Sequence, residues 1–175
     1  MRGGKIFINY RRADTRWAAA RIYDDLGERF GHDRLFMDVD SIPAGADFVE
    51  HLNRHVDECE AILVLIGRDW LTLTSEDGVR RIDDQADFVT IEIARALQRG
   101  VRVIPVLVDG ADAPADKDLP ELIKPLCRRQ ALRIDHDSYR RDFDAVAAAL
   151  APELQNLTLL ERNAPDLPEN GSPGA

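Results

Sequence analysis

A phenylalanine and a glutamate four residues apart form the sharpest chemical feature of the sequence. Phe88 and Glu92 lie in a segment with helical periodicity, so they share one face of a helix, a turn apart. That face is rotated away from the apolar stripe that should meet the rest of the core, which predicts a carboxylate beside an aromatic ring at the edge of the core. The alternative is an exposed glutamate paired with Arg95 or Arg99.

Two loops carry further residues that could contact a ligand. Arg11 and Arg12 follow the first strand-like run, and their forked donors match the geometry of phosphate oxygens. Residues 38–48 (DVDSIPAGADF) contain proline and glycine ahead of a helical pattern, which is typical of a shaped lid over a site. The alternatives are solvated arginines that pair with nearby carboxylates and an ordinary strand-to-helix connection.

Short apolar runs predict the strands that must position these loops. The predicted strands are residues 5–9, 35–37, 61–67, 101–108 and, more weakly, 131–134. The third and fourth are almost continuously apolar, as strands covered on both faces are in parallel sheets.

Helical patterns alternate with these strands. The first predicted helix follows possible caps at Asp14 and Thr15 and runs to Phe30. The second has Val49, Leu52, Val56 and Cys59 on one face, and the third has Val89, Ile93, Ala96 and Leu97 and stops at Gly100. The last spans 138–150, and a short helix is predicted between 119 and 127. This alternation predicts an open parallel α/β sheet with ligands beyond the carboxyl ends of its strands.

Composition limits the function classes and the compartment. The net charge of −9 argues against nucleic-acid binding, which depends on clustered cations, but leaves room for a small anionic ligand. Two cysteines, no signal-peptide pattern and no membrane-length apolar run predict a cytoplasmic protein without disulfides. His51 and His55 have the spacing of zinc ligands but lack a third, so no metal site is predicted. We expect one domain at 1–152 and a flexible tail or linker at 153–175.

Three segments, in order and at family-like spacing, resemble bacterial TIR (Toll/interleukin-1 receptor) domains of the NAD-cleaving branch over residues 4–150. They are KIFINYRR, LFMDVDSIPAGADF and DFVTIEIARALQRGVRVIPVLV. The resemblance implies a flavodoxin-like fold, with an open, five-stranded parallel sheet and helices on both faces.

The resemblance also implies an activity and its residues. Members of this branch cleave NAD+, their substrate rather than a cofactor, between nicotinamide and ribose, giving ADP-ribose or a cyclised variant. Glu92 matches the catalytic glutamate, and Phe88 stands where many active members have tryptophan, offering a smaller stacking face without an N–H donor. The remaining positions implied to contact the substrate are Tyr10, Arg11, Arg12, Asp38, Asp40, Ile42 and Gly45.

The family further implies homo-oligomers or filaments built by TIR–TIR contacts, a fused or separate sensor, and a role in bacterial immune (antiphage) or virulence signalling. The main alternative is a TIR scaffold without catalysis. A nucleoside deoxyribosyltransferase has a related fold but is disfavoured by the YRR and DVDSIPAG segments. This sequence lacks the acidic pair after the first strand that a two-component receiver requires. It also lacks the glycine motif of a dinucleotide-binding dehydrogenase.

Overall fold

A computed structural model describes residues 4–37, 56 and 58–162, with side chains described as far as residue 152. Five parallel strands form one sheet in the described chain. They are β1 (Lys5–Asn9), β2 (Leu35–Met37), β3 (Cys59–Ile66), β4 (Arg102–Val108) and β5 (Leu132–Ile134). The predicted strands are confirmed to within two residues at each end. The prediction that Cys59 belongs to a helix is wrong, because this residue begins β3.

The strand order is β2-β1-β3-β4-β5, and every neighbouring pair is parallel. This order is the flavodoxin-like arrangement that was predicted. The chain moves outward from β1 to β2 and then returns to the other side of β1 to form β3. The order therefore reverses between β1 and β3, and the carboxyl ends of these strands border the crevice where such folds bind ligands.

Helices cover both faces of the sheet. Three of them are described from end to end, namely α1 (Arg12–Phe30), α2 (Phe88–Gln98) and α3 (Tyr139–Arg162). Leu63 and Leu65 of β3 belong to the core beneath α1 and α3, whereas Ile62, Val64 and Ile66 belong to the core beneath α2. Because both faces of β3 are buried from Ala61 to Ile66, its sequence is continuously apolar there and does not alternate.

The start of α1 differs from the prediction. Neither Asp14 nor Thr15 caps the helix, which begins at Arg12 after Arg11 without a side-chain cap. The Asp14 carboxylate instead accepts hydrogen bonds from the backbone N–H of Gly67 at 2.9 Å and of Asp69 at 3.1 Å, in the loop after β3. This long-range partner is the reason that Asp14 is unavailable as a cap. Thr15 lies inside α1, at a kink with non-helical backbone angles.

The ends of α2 follow its sequence closely. Asp87 is the N-cap, and its carboxylate accepts a hydrogen bond from the N–H of Thr90 at 3.0 Å. At the other end Gly100 has φ +70°, and the N–H of Val101 bonds to the carbonyl of Ala96 at 3.0 Å. Together with the bond from the Gly100 N–H to the Leu97 carbonyl at 3.3 Å, this bond forms a Schellman motif, so the predicted stop at Gly100 is confirmed.

The last helix is longer than expected. The prediction that it ends near 150 is wrong, since α3 continues to Arg162. The domain boundary at 152 stays a prediction, and so does the character of the chain beyond it. The short segment predicted as a helix near 119–127 forms a 3-10 helix, Glu121–Arg128, with Pro125 inside it. Proline has no N–H to donate and resists the wider α-helical turn there. No helix in the described ranges is long and apolar enough to cross a membrane.

The two cysteines should differ sharply in reactivity. Burial raises the pKa of Cys59 to about 12, whereas Cys127 is half-buried near the end of its 3-10 helix. Because the thiolate is the reacting species, we expect iodoacetamide at about pH 8 to modify Cys127 alone in the folded protein. Mass spectrometry before and after unfolding checks this, with Cys127→Ala as the control. Rapid modification of both cysteines in the folded state would contradict the assignment.

Candidate active site

Glu92 lies inside the protein rather than on its surface. The capped start of α2 places this residue one turn into the helix, opposite the carboxyl end of β1, where it is 3% exposed. Asn9, the last residue of β1, is 1% exposed and donates from Nδ2 to the Glu92 carboxylate at 2.6 Å and to the Val89 carbonyl at 3.2 Å. The alternative of an exposed glutamate is therefore wrong. A carboxyl group removed from water needs such hydrogen-bond partners, because burying it without them is costly.

A buried ion pair joins the end of β1 to the start of α2. The two terminal nitrogens of Arg11 each donate to one carboxylate oxygen of Asp87, at 2.8 Å and 2.8 Å. The two side chains are 1% and 7% exposed. Burial by itself raises the pKa of Asp87, but hydrogen bonds from Arg11 and Thr90 outweigh it and hold that pKa below its ordinary value. The pair fixes the position of α2, and hence of Glu92, against the sheet.

These residues border a cavity of about 230 Å³ beyond the carboxyl end of β1. Five residues that the sequence singled out line it, namely Tyr10, Arg11, Arg12, Phe88 and Glu92. The Glu92 carboxylate lies within the buried wall, whereas Phe88, at the start of α2, is 51% exposed. Arg12 is exposed as well. The arrangement combines a carboxylate, an aromatic ring and a cation at the edge where this fold binds ligands.

A family model described as TIR domain matches residues 6–151, which is most of the chain. The chain belongs to the TIR domain family.

Comparison with solved structures agrees with this assignment at the level of the fold. The TIR domain superimposes on the TIR domains of the activated Roq1 resistosome that directly recognises the pathogen effector XopQ, with a TM-score of 0.58. The two sequences are 13% identical, and the match covers 86% of this chain and 98% of the other. No curated protein sequence matches this TIR domain significantly.

Four of the predicted substrate contacts, Asp38, Asp40, Ile42 and Gly45, lie outside the described residues, as do His51 and His55. Their predicted roles stay predictions. Within the described ranges, no group of three or more histidine, cysteine, aspartate or glutamate residues is arranged to hold a metal ion.

Three residues of the site escaped the sequence analysis. Asn9 and Asp87 carry the contacts that hold Glu92 and Arg11, and Arg81 lines the cavity from a 3-10 helix at Arg81–Asp83. A polar residue at the end of an apolar strand is a usable signal for Asn9, and an aspartate just before a helical run is one for Asp87. Nothing in the local sequence around Arg81 distinguishes it from its neighbour Arg80.

A second, larger cavity of about 710 Å³ lies beyond the ends of β3, β4 and β5. Its lining is strongly acidic, with Asp14, Asp69, Asp109, Asp135 and Asp137. Carboxylates at this density repel the phosphates of an anionic ligand. The smaller cavity at Glu92, which has arginines at its border, therefore suits a nucleotide better.

Proposed function

We propose that this TIR domain cleaves the bond between nicotinamide and ribose in NAD+, with Glu92 as the catalytic carboxylate. The observation that carries the proposal is the buried Glu92 carboxylate, held by Asn9 at 2.6 Å in the wall of a cavity bordered by cations. Burying a carboxyl group is costly, and a structural role would be served as well by an apolar side chain. The position of this carboxyl group in the lining of a cavity favours a chemical role.

The reaction suits a single carboxylate. When the bond between C1′ and the pyridine nitrogen breaks, the electron pair leaves with nicotinamide, which departs neutral and needs no general acid. Positive charge then develops on the ribose, as in other glycoside cleavage, and the Glu92 carboxylate stabilises that charge electrostatically. Attack of water at C1′, with loss of a proton, gives ADP-ribose; attack by another group of the same molecule gives a cyclic product.

The cavity accounts for only part of the substrate. Pockets that enclose ligands of drug size measure about 300–1,000 Å³, and this cavity of about 230 Å³ is smaller. We assign the cavity to nicotinamide and its ribose, with the exposed ring of Phe88 as a stacking face. The diphosphate would then extend over Arg12 and Arg81. Both terminal nitrogens of Arg11 donate to Asp87. The role of Arg11 in this proposal is therefore to position α2 against β1 rather than to bind phosphate.

Incubation of the purified protein with NAD+ tests the proposal directly. We expect chromatography to show nicotinamide and an ADP-ribose product in equal amounts, in linear or cyclic form. Protein concentration and a crowding agent are varied, because the proposal includes activation by self-association. The structural similarity to TIR domains of an activated resistosome supports that part. If NAD+ is not cleaved at any protein concentration, with or without the crowding agent, the proposed activity is refuted.

Removing the two exposed arginines should weaken substrate binding more than chemistry. We expect Arg12→Ala and Arg81→Ala each to raise KM for NAD+ by about 10-fold with little change in kcat, because each contacts the diphosphate equally in the ground and transition states. Steady-state kinetics at two salt concentrations measure this, and high salt should reduce the difference. Arg80→Ala is the matched control, since Arg80 pairs with Asp83 at 2.7 Å. An unchanged KM in both variants would contradict the placement.

A scaffold without catalysis is the second candidate. In the described chain, Val79, Phe88 and Leu122 are large apolar side chains that are at least half exposed, a feature of surfaces that contact partners. The same incubation separates the candidates when the size of the particles is measured alongside, because a scaffold associates without consuming NAD+. Under either candidate the protein would act in the cytoplasm, in bacterial immune or virulence signalling, together with a sensor.

A further inference from the structure

Asn9 has one buried side-chain polar atom that makes no hydrogen bond within the described chain. Its Nδ2 donates to the Glu92 carboxylate at 2.6 Å and to the Val89 carbonyl at 3.2 Å, which uses both of its hydrogens. These two acceptors also settle the orientation of the amide, because a flipped side chain would set oxygen against oxygen. The Oδ1 atom is buried and lacks a hydrogen-bond partner among the described residues.

The position of Asn9 in the fold suggests a use for that oxygen. Asn9 lines the cavity at Glu92, and buried acceptors without a partner are rare in folded proteins. The amide is joined to the Glu92 carboxylate itself, so a ligand group near Oδ1 is also near the reacting carbon. In NAD+ the hydrogen-bond donor nearest to C1′ is the 2′-hydroxyl of the same ribose.

We propose that Asn9 binds the 2′-hydroxyl of the nicotinamide ribose through Oδ1 while its Nδ2 positions the Glu92 carboxylate. This inference rests on the proposed NAD+ cleavage and extends it to the contact that recognises the sugar. Because one amide would bind both the Glu92 carboxylate and the ribose, it would set the distance between that carboxylate and C1′. Asn9 would also make the site selective for ribosyl over deoxyribosyl substrates.

The test compares two substrates in variants that remove the amide. Asn9→Leu keeps the branching of the side chain, and Asn9→Ala is too small to overpack the core. NAD+ is compared with an analogue that lacks the 2′-hydroxyl on the nicotinamide ribose. We expect kcat for NAD+ to fall about 10- to 100-fold through loss of the charge-assisted bond to Glu92. We expect the loss in kcat/KM to be about 3- to 10-fold larger for NAD+ than for the deoxy analogue.

The comparison of substrates separates this role from a structural one. A residue needed only for packing would lower the rates with both substrates by the same factor, and that result would overturn the proposal. Thr15→Val is the matched control, because it removes another buried, unpartnered oxygen at a residue outside the cavity lining. If the wild type cleaves NAD+ and both Asn9 variants remain fully active, Asn9 has no such role and the enzyme stands. If the wild type cleaves nothing, the proposed function fails and this inference fails with it.

Discussion

Replacing Glu92 with glutamine is expected to lower kcat for nicotinamide release by about 100- to 1,000-fold. Glutamine has nearly the shape of glutamate, and its carbonyl oxygen can still accept the hydrogen bond from Asn9. What it lacks is the negative charge that, in the proposed reaction, would stabilise the developing cation on the ribose. Because this interaction strengthens only in the transition state, we expect KM to change little.

Chromatography of the products and thermal unfolding measure the effect of Glu92→Gln. The variant should unfold at the same temperature as the wild type or higher, since a buried charge is removed and its partner stays bonded. Glu121→Gln, at an exposed carboxylate remote from the cavity, is the matched control. A variant with activity within a few-fold of the wild type would remove Glu92 from the mechanism, whatever the product.

The second large effect concerns stability. Asp87→Asn should lower the free energy of unfolding by about 3–5 kcal/mol, because it leaves the Arg11 guanidinium buried without a counter-charge. Asparagine caps helices about as well as aspartate, so the start of α2 should be retained. The loss in the free energy of unfolding then measures the effect of breaking the ion pair. Denaturant unfolding measures it. Asp83→Asn, in the exposed pair with Arg80, is the matched control and should cost no more than about 1 kcal/mol.

The ion pair between Arg11 and Asp87 should also make the stability of the protein depend on pH under acidic conditions. The pKa of Asp87 in the folded protein lies below its ordinary value of 3.8. A carboxyl with a lowered folded pKa contributes stability above its unfolded pKa and loses it as pH falls through the folded pKa. We therefore expect the difference in the free energy of unfolding between the wild type and Asp87→Asn to be largest above about pH 5 and to become smaller below about pH 4. A gap that is constant down to pH 2 would mean that the charge is not the cause.

A variant that combines Arg11→Met with Asp87→Asn removes both charges of the pair. The double variant buries no unpaired charge and should recover part of the stability that Asp87→Asn loses. Its catalysis is informative as well. If the ion pair matters because it sets α2 against β1, kcat should remain below that of the wild type even when stability returns.

Local sequence was sufficient for the sheet and for most of its helices. Strands β3 and β4 are buried on both faces beyond their first residues, so the positions there are apolar, and no helical or alternating pattern competes with that signal. The Schellman end of α2 at Gly100 was likewise predictable, because few residues other than glycine accept a positive φ there. The order and spacing of three motifs were enough to indicate the TIR family.

Partners distant in the sequence decided what periodicity could not. The cap expected at Asp14 failed because the loop after β3, 53 residues away, supplies two backbone donors to its carboxylate. Arg11 and Arg12 are chemically identical in the sequence, yet one is buried against Asp87 and the other is exposed at the cavity. A helical pattern predicts on which side of the helix a side chain lies. It does not predict which polar group of the neighbouring element the side chain will contact.

By itself, then, the sequence indicated the parallel sheet and the family, and it singled out Tyr10, Arg12, Phe88 and Glu92, which line one cavity in the structure. Only the tertiary structure decided that Glu92 is buried, that Asn9 holds it, and that Arg11 is part of the framework. The physical reason is separation along the chain. The contacts from Asn9 to Glu92 and from Arg11 to Asp87 join residues 83 and 76 positions apart, and such pairings exist only once β1 and α2 are packed together.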